Sequence, residues 1–266
     1  MKTMLRFSDL KIDLTNFRSI SIPMKFNGPQ PNTYGVPRGT SIPYAGAGFI
    51  GDVNQGGSCN FHQHVLIPHC NGTHTECVGH ISTKLIAINE VLVQSFFAAR
   101  LISVQPVSPS ETGDTYVPDF TFDDRVITKR LLEEALGKAH STEALIIRTL
   151  PNHWSKTSLD YRGENPPFFS KEGMAFLVER GVEHLLVDMP SVDRMHDEGK
   201  LCNHHTYWEV NMGAFEERES GYSQKTITEM VFVPEEVEDG LYGVEIQVPD
   251  WCSDAAPSRV RLYPVE

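Results

Sequence analysis

Short apolar blocks separated by turn residues set the rhythm of this chain. Phe61-His-Gln-His-Val-Leu-Ile67 mixes aromatic and β-branched residues and stops at Pro68, which predicts a strand. Ile102-Ser-Val-Gln-Pro-Val107 predicts a second. From Thr128 to Leu136 the period becomes helical, with Thr128 at the N-cap and Leu131, Leu132 and Ala135 on one face. Ala144-Leu-Ile-Ile-Arg-Thr149 is a continuous apolar run of strand length. Ser170 to Arg180 predicts a helix: Ser170 caps it, Met174, Phe176 and Leu177 face inward, and Gly181 stops it. His184-Leu-Leu-Val-Asp188 follows as another buried strand, completing a strand-helix-strand unit that demands a right-handed crossover. Leu241 to Val248 and Val260 to Tyr263 alternate as strands near the end. The class is mixed α/β, and with no linker to divide it, residues 1–266 are expected to form one domain.

One stretch breaks the rhythm. Asn27 to Ser58 holds eight glycines and four prolines, too many for a helix or a central strand. It reads either as a long surface loop or as a lid or arm reaching a neighbouring subunit.

Composition narrows the class. Of 266 residues, 40% are hydrophobic and 22% charged, which excludes a disordered tail, a collagen-like fibre and a disulfide-stapled miniprotein. A formal net charge of -12 opposes phosphate-backbone binding and an anionic membrane face, so neither nucleic acid nor membrane is expected as a partner. Lys2, Arg6, Asp9, Lys11 and Asp13 interrupt the segment Met1 to Leu14, so no signal peptide is expected there. The most apolar long window, Leu85 to Val104, contains Asn89, Glu90, Gln94, Ser95 and Arg100 and is too polar to span a bilayer. Five cysteines (59, 70, 77, 202 and 252), an odd number without CxxC spacing, fit a reduced, cytoplasmic protein.

The candidate chemistry is concentrated. Five of eleven histidines (His62, His64, His69, His74 and His80) fall within nineteen residues. The segment Pro68-His-Cys-Asn-Gly-Thr-His-Thr-Glu-Cys-Val-Gly-His80 gathers imidazole, thiol and carboxylate donors around a Gly72-Thr73 turn. First-row metals take such N, S and O donors. The residue types alone leave two readings open, a metal site or polar histidines on a strand edge.

This segment resembles the metal signature of the cyclase family, which includes bacterial kynurenine formamidases and isatin hydrolases: His-x-Gly-Thr-His-x-Asp-x-Pro-x-His. Aligned on Gly72-Thr73-His74, its second histidine is His74 and its last is His80. Further along, Ala144 to Thr149 resembles the family strand ending in Arg-Thr. Phe169 to Gly181 and Val187-Asp-Met-Pro-Ser-Val-Asp193 are similar to its helix-strand passage. Leu201-Cys-Asn-His204 resembles the distant Leu-x-x-His, Thr228-Glu229-Met230 stands where the family has Glu-Asn-Leu, and Ala256-Pro-Ser-Arg-Val260 resembles its closing motif. The match spans nearly the whole chain, apart from an expanded 27–58 and extra residues at about 209–226. Three positions depart from the signature: Cys70 replaces its first histidine, Glu76 its aspartate and Val78 its proline.

The resemblance implies the swivelling β/β/α fold, a mixed sheet with flanking helices, usually built as a homo-oligomer (dimer or tetramer). It implies one or two divalent ions held by Cys70, His74, Glu76, His204 and Glu229, and no organic cofactor. A thiolate would favour zinc, with manganese the other candidate. His69 beside Cys70 and His205 beside His204 are rival ligands; strand alternation would turn His69 away. His80 corresponds to the family's general base and acid, a task suited to an imidazole that titrates near neutrality. The implied activity is metal-dependent hydrolysis of a small amide, most like arylformamidase, converting N-formylkynurenine to kynurenine and formate. The alternatives are an isatin-like cyclic amide or lactone and, in another class, a binding protein without turnover. His62 or His64 could support a ligand, Asp188, Ser191 and Asp193 could brace the site, and Cys59, Cys77 and Cys202 fit core or supporting positions. Trp154, Phe168, Phe169 and Trp208 fit either an aromatic substrate pocket or the core.

Overall fold

The computed structural model describes residues 3–7, 10–215 and 221–266. Part of the expected insert at 209–226, and Lys2 and Asp9 of the N-terminal segment, lie outside them. Among the described residues, nine strands share one sheet: β1 (Arg18–Ser19), β2 (His74–Cys77), β3 (Phe96–Val104), β4 (Ala144–Thr149), β5 (His184–Val187), β6 (Thr226–Glu229), β7 (Gly240–Gln247), β8 (Ala255–Pro257) and β9 (Arg259–Pro264). Their spatial order is β8-β2-β6-β5-β4-β3-β7-β9-β1. The central four, β3 to β6, run parallel as successive neighbours. The outer strands pair antiparallel, β2 on β6 and β7 on β3. All six residues of β4 and all four of β5 are buried, as strands covered on both faces must be.

Helices α2 (Lys129–Leu136), α3 (Lys171–Glu179) and α4 (Cys202–Tyr207) make the crossovers between the parallel strands, and they pack side by side. A small parallel pair, Val126–Ile127 with Phe168–Phe169, leads into α2 and α3 as a second β layer. The result is the mixed sheet with flanking helices that the resemblance implies. The caps behave as their chemistry dictates. Thr128 Oγ1 accepts from Leu131 N, and Ser170 Oγ accepts from Gly173 N, each a cap of about 1 kcal/mol. Gly181 takes φ +71°, the left-handed stop of α3. On α2 the expected Leu132 is buried together with Leu136, while Leu131 is half-buried and Ala135 exposed.

Two strand expectations shift. The strand expected from Ile102 starts earlier, at Phe96, because Phe97, Ala99 and Leu101 alternate inward. The strand expected at 61–67 is His62–Val65 and is exposed along its whole length. It pairs with Thr40–Pro43 in a hairpin outside the main sheet. The glycine-rich stretch is therefore partly a ribbon, extended by a second pair, Ala45–Gly46 with Phe49–Ile50.

Sheet order and chain order meet at one residue. β8 and β9 lie near opposite ends of the nine-stranded order, yet only Ser258 separates them in sequence. The sheet must therefore curl until its edges meet. Ser258 N donates to Thr73 O, Ser21 Oγ donates to Ser258 O, and Ser21 forms a bridge with Val231 beyond β6. No helix among the described residues is long and apolar enough to cross a membrane.

Candidate metal and catalytic site

Alternation along β2 separates its four residues. Thr75 and Cys77 turn to one face, where Thr75 Oγ1 meets Thr228 Oγ1 at 2.9 Å and Cys77 Sγ donates to Ile86 O. His74 and Glu76 turn to the other. The antiparallel register places Glu229 of β6 directly opposite His74, bringing a distant carboxylate beside it. His74 Nε2 lies 3.4 Å from Glu229 Oε2. His204, on α4, points its Nε2 at Glu76 Oε1 at 3.0 Å and lies 3.9 Å from Glu229 Oε1. All four side chains are buried.

Outer contacts fix each donor. His74 Nδ1 is 3.0 Å from Gly72 O, the tautomer-setting contact that leaves Nε2 free of its proton. His204 Nδ1 lies 2.6 Å from Asp193 Oδ2, and Asp193 also receives hydrogen bonds from Tyr116 Oη and Asn203 N. Glu229 Oε1 accepts from Val192 N. Burial works against charge on Glu76, but the imidazoles of His80, His204 and His69 outweigh it and hold the carboxyl well below its ordinary range. Burial likewise opposes charge on His204, and Glu76 and Asp193 overcome it, raising the imidazole.

The chemistry of the donors, two imidazoles and two carboxylates, suits a divalent ion. His74 Nε2 is buried with no hydrogen-bond partner, a deficit of about 1–3 kcal/mol if left unfilled. Four ligands at ~2.1 Å in a tetrahedron stand ~3.4 Å apart. The contacts link the four in a chain, His74 to Glu229 at 3.4 Å, Glu229 to His204 at 3.9 Å and His204 to Glu76 at 3.0 Å, while Glu76, His80 and His204 each offer a ligand atom within 4.8 Å of the other two.

A second group of donors adjoins the first. His80, on the turn Val78–Ile81, places Nδ1 3.3 Å from Asp254 Oδ2 and 3.9 Å from Glu76 Oε2, with 28% of its side chain exposed. His69 stacks on His80 with ring centroids 4.5 Å apart, and its Nε2 lies 3.0 Å from Asp254 Oδ2 and 3.5 Å from Glu76 Oε2.

The structure therefore draws five expected residues, His74, Glu76, His80, His204 and Glu229, into one cluster. Cys70 is the exception. It is buried beside them, its thiol pushed up by burial, and His69 occupies the place among the donors. The alternation argument against His69 does not apply, because residues 68–71 form a one-turn helix, α1 (Pro68–Asn71). Successive helical residues differ by about 100°, not 180°, so His69 and Cys70 can both look toward the site. His205 turns away toward Phe215, and burial lowers its imidazole.

Supporting residues divide the same way. Asp193 braces His204, whereas Asp188 is taken up by Thr149 and Lys156. His62 and His64 stay on the exposed hairpin, against Ser41 and Phe26. Phe168, Phe169 and Trp208 are core residues, with the Trp208 ring 5.3 Å from that of His204; Trp154 is exposed and packs on Phe232. Cys77 and Cys202 are buried and Cys59 is exposed. Two site residues escaped the sequence reading. Asp254 stands two residues before the Ala256-Pro match, which pointed toward it. Tyr34, half-exposed, with its phenol pushed up by burial and by the charge of Glu229, comes from the glycine-rich stretch, where nothing marked it.

By sequence, the family model described as "Putative cyclase" matches residues 12–194. No curated protein matches the chain by sequence. By structure it is similar to a "predicted metal-dependent hydrolase from Bacillus stearothermophilus", at 14% identity and a TM-score of 0.59, covering 93% of this chain and 98% of that one. It is also similar to isatin hydrolase A from Labrenzia aggregata, at 13% identity and a TM-score of 0.61, covering 94% of each chain. Isatin hydrolase A from Ralstonia solanacearum aligns at 13% identity and a TM-score of 0.57, over 94% of this chain and 92% of that one.

Proposed function

Because the chain belongs to the cyclase family, we propose that it is a metal-dependent hydrolase of a carbon–nitrogen amide bond, most like an arylformamidase acting on N-formylkynurenine. One observation carries this reading: a buried chain of two imidazoles and two carboxylates, with His74 Nε2 unpartnered, leads to a part-exposed histidine. His74, Glu76, His204 and Glu229 would hold a divalent ion, which supplies Lewis acidity toward a carbonyl oxygen and a water. His80 takes a proton from the attacking water and returns it to the leaving nitrogen, one imidazole serving both directions. Its position supports this, since it reaches the carboxylate group on one side and solvent on the other.

The same geometry bears on metal number and kind. His80 belongs to both close donor groups, His69–His80–Asp254 and Glu76–His80–His204, so an ion in either would take up the imidazole, whereas an ion held by His74, Glu76, His204 and Glu229 would leave His80 for proton transfer. With Cys70 outside the donor groups, the sulfur argument for zinc lapses. An N2O2 set accepts zinc and manganese alike.

A cyclic amide is the second reading for the substrate, favoured by the likeness to two isatin hydrolases. Metal analysis with turnover of N-formylkynurenine, isatin and a lactone panel tests both. The expected result is about one divalent ion per chain and turnover that His80→Ala abolishes. Metal without turnover on any of them would make the protein a binder, and protein free of metal when purified without chelator would remove the hydrolase reading.

A further inference from the structure

Asp254 belongs to none of the roles assigned so far, yet the backbone holds it beside Glu76. Ala255 is the register partner of Glu76 in the β8–β2 pair, and Cys77 N donates to Asp254 O at 3.0 Å. The turn that carries His80 also presses on it: a Cβ placed on Gly79 would stand 3.1 Å from the Asp254 Cβ and 2.2 Å from Ile86 O. An edge strand and a tight turn thus bring one carboxylate against one imidazole.

The contacts around that carboxylate are unequal. Asp254 Oδ2 is 3.3 Å from His80 Nδ1 with hydrogen-bond geometry. It is 3.0 Å from His69 Nε2, but that nitrogen has no partner that meets hydrogen-bond geometry. Glu76 is a poorer partner for His80, its Oε2 being 3.9 Å away while its Oε1 is engaged by His204. Asp254 Oδ1 takes the Ser253 hydroxyl. Of the two carboxylates flanking His80, Asp254 is the one within hydrogen-bond reach, and its contact to His80 has hydrogen-bond geometry where that to His69 does not.

We propose that Asp254 is the positioning carboxylate of His80: accepting from Nδ1–H, it fixes the ring's tautomer and aim so that a proton-free Nε2 faces the reaction space. This rests on the assignment of proton transfer to His80. A carboxylate behind an imidazole orients the ring and stabilises the imidazolium that forms when it takes a proton. His69, stacked on His80 and touching the same Asp254 oxygen, confines the carboxylate from the other side.

The test uses the metal-loaded full-length protein, with Asp254→Ala and the nearly isosteric Asp254→Asn, which keeps the packing should the alanine variant fail to fold. Nitrogen-15 NMR of the His80 ring, assigned by its loss in His80→Ala, reads the tautomer. The expected result is Nδ1–H in the parent protein and loss of that bias in the variants, with metal content unchanged. Turnover of N-formylkynurenine or isatin should fall about 10²-fold in kcat with little change in KM. Added acetate should restore part of the activity to Asp254→Ala and none to His80→Ala, a rescue that a purely structural role would not give. A parent His80 protonated on Nε2, or a tautomer indifferent to the variants, overturns the proposal. So does loss of an ion from Asp254→Ala, which would make Asp254 a ligand. Should the parent turn over no substrate, the hydrolase reading fails, while the tautomer and metal measurements still decide the role of Asp254.

Discussion

Asp193 Oδ2 stands 2.6 Å from His204 Nδ1, and through that contact a residue of the β5–α4 connection determines which nitrogen α4 offers to Glu76. Replacing Asp193 by Asn should keep the packing and weaken metal binding by about 10–100-fold, the usual consequence of removing a ligand's outer carboxylate. Competition against a chelator of known affinity measures this. Unchanged affinity would mean that His204 is not held by Asp193 when metal is bound.

Glu76 faces both donor groups, Oε1 toward His204 and Oε2 toward His69 and His80. Glu76→Gln should therefore abolish tight metal binding. At free metal about 1,000 times Kd, the parent gains about 4 kcal/mol of stability and the variant almost none. Thermal unfolding with and without chelator gives the answer; equal metal stabilisation of both proteins would take Glu76 out of the metal site.

Cys70 and His69 can be separated spectroscopically. Cobalt-loaded protein should lack a thiolate-to-metal charge-transfer band, and Cys70→Ser should bind metal within about threefold of the parent, since the buried thiol lies outside the close donor groups and burial disfavours its thiolate. A thiolate band that disappears in Cys70→Ser would restore the sulfur to the ligand set.

Acid stability has a source away from the site. His184 is buried, its ring 3.9 Å from that of Phe97 and its Nδ1 2.8 Å from Thr226 Oγ1, and burial pushes its pKa down to about 4. The unfolded chain has a histidine pKa of about 6.5, so between these values the unfolded state binds more protons and stability falls as pH falls. The full loss is about 3 kcal/mol, complete near pH 4. Urea unfolding at a series of pH values should give a flatter profile for His184→Gln; identical slopes would assign the acid sensitivity elsewhere.

Much of the fold was legible because its central strands are apolar on both faces and its two main helices carry Thr128 and Ser170 at their starts. These signals are local. Phe96 to Arg100 was missed because Arg100 and two alanines mask an alternating strand, and His62–Val65 was recognised as a strand without its exposure being foreseen. In the site, the resemblance to the family pattern put His74, Glu76, His204 and Glu229 forward together, and the β2–β6 register with α4 brings them near one another. The choice between His69 and Cys70 turned on a one-turn helix that Pro68 initiates, where strand geometry had been assumed. Asp254 depends on the register of an edge strand, a long-range fact that no local pattern carries.

Ser258 gives the molecule a clasp. The short run that hangs Asp254 beside the donors continues, one residue later, into the strand that seals the far side of the sheet. Inserting a single residue there would throw one of the two strands out of register, sending its side chains to the wrong face. Whichever strand slipped, damage on one flank would be felt on the other, so the chemistry and the closure of the barrel-like wall stand or fall together.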